Sequence, residues 1–84
     1  LAEERVRAVV VEFVRGVDGV SGQVSGAASF DELGVDSMST MDLLDKVERE
    51  FGVAIPDEAL PLIVTIQDLV DFVVSAKQKQ GVNP

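Results

Sequence analysis

The chain has 84 residues, 46% of them apolar, with a mean hydropathy of +0.25 and a net charge of −8. That is room for one domain with a thin core, too apolar for disorder and too acidic to hold a nucleic-acid backbone. The chain has no cysteine, which excludes disulfides, thiol catalysis and thiolate metal sites, and no histidine, the usual base that makes a serine nucleophilic.

Residues 1–17 place apolar side chains at Val6, Val9, Val10, Phe13, Val14 and Val17, one stripe of a helix. The valines favour a strand by propensity, but a stripe of this length outweighs that weak preference. Gly16 and Gly19 mark its end. Its charged start, with Glu3, Glu4, Arg5 and Arg7, is unlike a secretory signal, and the longest apolar run, Ala8-Val9-Val10-Val11, is far too short to span a membrane. The expectation is a cytoplasmic chain without membrane contact.

Residues 18–36 form a Gly- and Ser-rich connection, long enough to be functional or to contain hidden structure. Phe30 and Leu33 are its expected anchors on the core. A second helix is predicted over Ser37–Phe51, with Asp36 as N-cap, Leu43, Val47 and Phe51 as its buried stripe, and Gly52 as a left-handed terminator. Met38 and Met41 fall beside that stripe, partly exposed.

Ala54-Ile55-Pro56-Asp57-Glu58 reads as a turn with Ile55 inward, followed by a brief helical turn over residues 57–60 that Pro61 limits. Residues 60–63 read as core in preference to the lining of a cleft. The last helix opens at Thr65-Ile66-Gln67-Asp68, a start resembling a capping box. Its stripe is Ile66, Leu69, Val70, Val73 and Val74, and Lys77 and Lys79 suit the negative end of its dipole. The sum is an all-α fold: a small four-helix bundle of three main helices and one short one, with a long loop between the first two. It makes a single domain over 1–84, ordered over about 3–78.

Ser37 stands at the loop-to-helix junction, where a hydroxyl is exposed at the positive end of a helix dipole. Such a serine, with no base in the chain to activate it, suits an attachment point better than a catalytic nucleophile. The bland alternative is an unmodified helix-capping serine. Between Asp36 and Glu58 seven acids face two bases, a local charge of −5. Most of that charge is solvation, and the acidic face fits a basic protein partner.

Phe30-Asp31-Glu32-Leu33-Gly34-Val35-Asp36-Ser37-Met38 resembles the phosphopantetheine-attachment motif of acyl carrier proteins. The resemblance continues through Glu3-Glu4-Arg5-Val6, Glu48-Arg49-Glu50-Phe51 and Ile55-Pro56-Asp57-Glu58, covering nearly the whole chain in order. A lone Asp-Ser pair is a weak motif; this register is a strong one.

The resemblance implies that a phosphopantetheinyl transferase attaches 4′-phosphopantetheine from coenzyme A to Ser37, with Asp36 beside it as a magnesium ligand in the transferase complex. It implies a non-enzymatic, monomeric carrier of thioester-bound acyl chains that holds no metal of its own. Its partners would be ketosynthase, acyltransferase and other synthase enzymes of fatty acid or polyketide biosynthesis. The same resemblance makes Met38, Met41, Asp42, Asp45 and Glu48 the expected partner face.

Lys46 and Arg49 place positive charge in a helix that many fatty-acid carriers keep acidic. Asp45 stands where an apolar residue is frequent, and Pro61, Leu62 and Ile63 are unusually apolar and stiff. These departures tilt towards secondary metabolism. The alternatives are a peptidyl carrier with the same arm, and a helical interaction module with no prosthetic group.

Overall fold

The computed structural model describes the backbone of residues 2–17, 20 and 24–82. Helix α1 spans Ala2–Arg15, α2 Phe30–Leu33, α3 Ser37–Phe51 and α4 Ile66–Val82, with a 3-10 helix over Asp57–Leu62. Among the described residues there is no strand, only an isolated antiparallel bridge between Ser29 and Thr65. The expected helical bundle is the observed architecture.

Val6, Val10 and Val14 are the fully buried line of α1, four residues apart, with Val9 and Phe13 packed partly buried beside them. Each fully buried valine contributes about 1.5–3 kcal/mol of transfer free energy. This helix stops two residues earlier than its stripe suggests. The N–H of Gly16 turns back to the Phe13 carbonyl at 3.0 Å and that of Val17 to the Val14 carbonyl at 3.1 Å, so the last turn tightens.

The connection to α3 contains the hidden structure its length suggested. Ser29 and Glu32 form a reciprocal capping box that starts α2, and Gly34 closes it at φ 84°, a conformation glycine adopts without Cβ strain. Phe30, Leu33 and Val35 anchor the segment in the core. Its backbone is also tied to the entry of α4: Phe30 N to Val64 O at 3.1 Å, Ile66 N to Ala28 O at 3.2 Å, and Gln67 N to Gly26 O at 2.9 Å. These bonds set where α3 begins.

Helix α3 has the predicted limits. Asp36 caps its start, Gly52 ends it at φ 66°, and Leu43, Val47 and Phe51 are buried together with Leu44, which broadens the stripe. Glu48 Oε2 accepts the Ile55 N–H at 2.8 Å and so holds the turn after Gly52 against the helix. Pro61 does not stop the short helix at residue 60. Its N–H is missing, but 3-10 bonding resumes beyond it, with Ile63 N donating to Leu60 O at 3.1 Å.

Helix α4 starts at a capping box in which Thr65 Oγ1 accepts from Asp68 N at 3.1 Å and Asp68 Oδ2 accepts from Thr65 N at 3.0 Å. Ile66, Leu69, Val70 and Val73 are fully buried, mainly against α1, while Val74 is half-buried. Lys77 does not serve the end of its own helix, which continues to Val82. Its Nζ instead donates to Phe51 O at 3.2 Å, the last carbonyl of α3. Arg5 of α1 lies over the Phe51 ring, 6.0 Å from its centroid. The end of α3 opposite Ser37 is thereby held by two elements, α1 and α4.

Candidate functional site

Asp36 ends an extended segment (φ −79°, ψ 176°) and leaves Ser37 as the first residue of α3. The Ser37 side chain is exposed. Asp36 Oδ1 accepts the Ser39 N–H at 2.8 Å, and the Asp36 carbonyl accepts both Thr40 N at 2.9 Å and Thr40 Oγ1 at 2.8 Å. The Ser37 and Met38 N–H groups belong to the first turn, which has no carbonyl four residues back within the helix. The positive end of the dipole and these donors make the position favourable for an anion. The backbone N–H of Ser39, and then its hydroxyl, hold the Asp36 carboxyl below its ordinary value. It is therefore a firmly ionised neighbour of Ser37.

Beside Ser37 lies a cleft of about 390 Å³ between α2, α3 and the segment that follows the 3-10 helix. Phe30, Val35, Met41, Leu44, Leu60, Ile63 and Val64 make it apolar, while Asp31, Ser37 and Thr40 supply its polar atoms. This corrects the reading of residues 60–63 as core. Leu60 and Ile63 are half-buried cleft walls, Pro61 is exposed, and Leu62 is 72% exposed. Met38, Met41, Leu62 and Val64 are exposed large apolar residues, at 79, 53, 72 and 54%; Met41 and Val64 line the cleft themselves.

The other residues expected on a partner face do not behave alike. Asp42 is exposed and has no ion pair among the described residues. Asp45 is exposed but holds Arg49 at 3.2 Å, and Lys46 lies 3.9 Å from Glu50. Glu48 is half-buried and tied to the Ile55 backbone. The acidic exterior of α3 is therefore partly neutralised within the helix, and Asp36 and Asp42 carry its charge nearest Ser37. No group of three or more metal-ligating side chains occurs among the described residues.

A family profile described as a phosphopantetheine attachment site matches residues 8–73, most of the chain and all of this site. The chain belongs to the acyl carrier protein family. It is similar to an acyl carrier protein from Thermotoga maritima, at 30% identity over 94% of each chain with a TM-score of 0.78. It is also similar to the hexanoyl form of the carrier from the actinorhodin polyketide synthase of Streptomyces coelicolor, at 28% identity over 90% of each chain and a TM-score of 0.72. The acetyl form of that actinorhodin carrier matches at 26% identity over 95% of this chain and 94% of its own, with a TM-score of 0.69.

For an acyl carrier protein the informative residues missed by the sequence reading are Asp31, Thr40 and Leu44, all in the cleft wall. Thr40 and Leu44 lie three and seven residues after Ser37, the same-face spacing of a helix, and that signal was present in the sequence. Asp31 lies within the attachment motif, but its place in the cleft wall depends on the four-residue helix α2 and has no such periodic signal.

Proposed function

We propose that Ser37 Oγ is the attachment point of 4′-phosphopantetheine, and that the chain presents arm-bound acyl groups to partner enzymes without catalysing a reaction itself. The observation that carries this reading is the exposed Ser37 hydroxyl at the first position of α3, beside an apolar cleft, in a chain that matches the family over residues 8–73. The residues fit the group. An exposed oxygen meets an incoming phosphorus, and the first-turn N–H groups and helix dipole offset the phosphodiester charge.

Attachment forms a bond from Ser37 Oγ to the phosphorus of coenzyme A that carries pantetheine and breaks the bond to adenosine 3′,5′-bisphosphate. The chain has no histidine, so the hydroxyl proton passes to a base on the transferase. Asp36, kept ionised by Ser39, would be this chain's ligand for a magnesium ion in the transferase complex. When bound, the arm supplies a terminal thiol that carries acyl groups as thioesters. The cleft walls then offer apolar surface close to the anchor, and Met38, Met41 and Asp42 are the residues for a partner to touch.

The cargo is an acyl chain of fatty acid or polyketide biosynthesis, and the polyketide branch is favoured. Support for that choice is the pairing of Asp45 with Arg49 and of Lys46 with Glu50, which breaks up a uniformly acidic recognition helix, together with the likeness to the actinorhodin carrier. Recovering the chain from its host under conditions that preserve thioesters, and weighing it, tests both levels. A phosphopantetheinyl group bearing an acyl or polyketide mass supports the proposal. An aminoacyl mass makes the chain a peptidyl carrier, and a bare chain from a host that loads its other carriers makes it an interaction module.

A further inference from the structure

We propose that Met38 and Met41 form an oxidisable pair that makes the mouth of the Ser37 site sensitive to two-electron oxidants such as peroxides. Cysteine, tryptophan, tyrosine and histidine are all absent, so the readily oxidised side chains of the entire chain are its two methionines. Both stand within four residues of Ser37 on α3, and both are exposed, at 79 and 53%. A peroxide therefore reaches their sulfurs without any opening of the fold, and no other part of the chain competes for it.

The chemistry balances with the oxidant alone. A thioether lone pair attacks a peroxide oxygen, the O–O bond breaks and an S–O bond forms. The sulfur loses two electrons, and hydrogen peroxide leaves as one water per methionine. The product sulfoxide is polar where the thioether was apolar. Two stereospecific sulfoxide reductases restore it with a dithiol as the two-electron reductant, which ends as a disulfide while the oxygen leaves as water. Met38, Met41, Leu62 and Val64 are the exposed large apolar residues of the described chain, and half of that set changes character when both methionines are oxidised. Neither methionine is buried, so the core is unaffected.

The functional consequence rests on the carrier reading: an enzyme that docks on this patch meets sulfoxides in place of thioethers and binds less well. The experiment exposes the 84-residue chain to graded hydrogen peroxide, followed by peptide mass mapping, circular dichroism and retention on a hydrophobic-interaction column. Expected are one added oxygen at Met38 ahead of Met41, then one at each, with unchanged helicity and earlier elution. Oxidation only after the helices melt, or unchanged retention of the doubly oxidised chain, overturns the proposal whether or not the chain is a carrier.

The second arm measures phosphopantetheine loading before and after oxidation. A KM increase of about five-fold, the scale of losing a small apolar contact, is expected, with reversal by the paired reductases. The Met38→Leu, Met41→Leu variant, given the same peroxide, is expected to keep its own untreated rate. Equal rates before and after oxidation of wild type, or an equal loss in the leucine variant, contradict the docking consequence. Failure of untreated wild type to load sinks the carrier reading instead.

Discussion

Asp36 and Glu32, both exposed, and half-buried Asp68 are carboxylates that each take up backbone N–H groups at the start of a helix, and each is held below its ordinary value. Backbone donation is the leading cause in all three, from Ser39, Ser29 and Thr65 respectively. A depressed folded-state value means that the stabilisation is fully present above the unfolded value. It is lost as pH falls through the folded one. Acidification also relieves the self-repulsion of a chain with net charge −8, so the comparison must be between variants. Asp36→Ala is expected to lower the Tm near neutral pH, and the gap to wild type should close as pH falls below 3.8; a gap that stays constant would show that the cap acts without its charge.

Asp36 was legible because an acid directly precedes an apolar helical pattern. Lys77 was not. Its place near a helix end suggested its own dipole, and only the packing of α4 on α3 reveals Phe51 O as its acceptor. Glu48 is a similar case, tied to Ile55 N. Glu48→Ala is expected to increase hydrogen exchange at the Ile55 amide while leaving exchange in α1 unchanged, and unaltered protection at Ile55 would contradict this.

At the scale of elements, α3 could be read to its last residue. Its apolar period is bounded by an acid that caps and a glycine that adopts φ 66°. Helix α2 could not, because four residues are too few to show a period and its capping box lies inside a polar loop. Residues 60–63 show the limit of hydropathy as a guide. Their apolar character suggested burial, but the 3-10 helix turns Pro61 and Leu62 outward and leaves Leu60 and Ile63 as cleft walls.

The α1–α4 contact is the core on which the site rests. Leu69 is fully buried in it. Leu69→Ala is expected to destabilise the fold by about 2–5 kcal/mol, read as a lower chemical-denaturation midpoint. A shift as small as that of a surface substitution would show that α4 is not part of the cooperative unit.

The whole molecule combines a net charge of −8 with an exposed apolar patch at one end of α3. On the proposed carrier reading, charge would bring a basic partner to that end and the apolar residues would give it something to bury, a division of labour between encounter rate and residence time. Asp42 is the exposed, unpaired acid among the described residues of α3. Asp42→Lys is expected to slow association with a basic partner enzyme, with a weaker salt dependence and unchanged circular dichroism. Loss of helicity along with binding would assign Asp42 to the fold instead.

The proposed attachment point is one exposed hydroxyl group at the start of α3. The direct measurement is intact mass after incubation with coenzyme A, magnesium and a broad-specificity phosphopantetheinyl transferase, on wild type and on Ser37→Ala. The expected result is one phosphopantetheinyl group on wild type and none on a variant with the same helicity. A group gained by Ser37→Ala, or none gained by wild type while a control carrier loads, contradicts the assignment of Ser37.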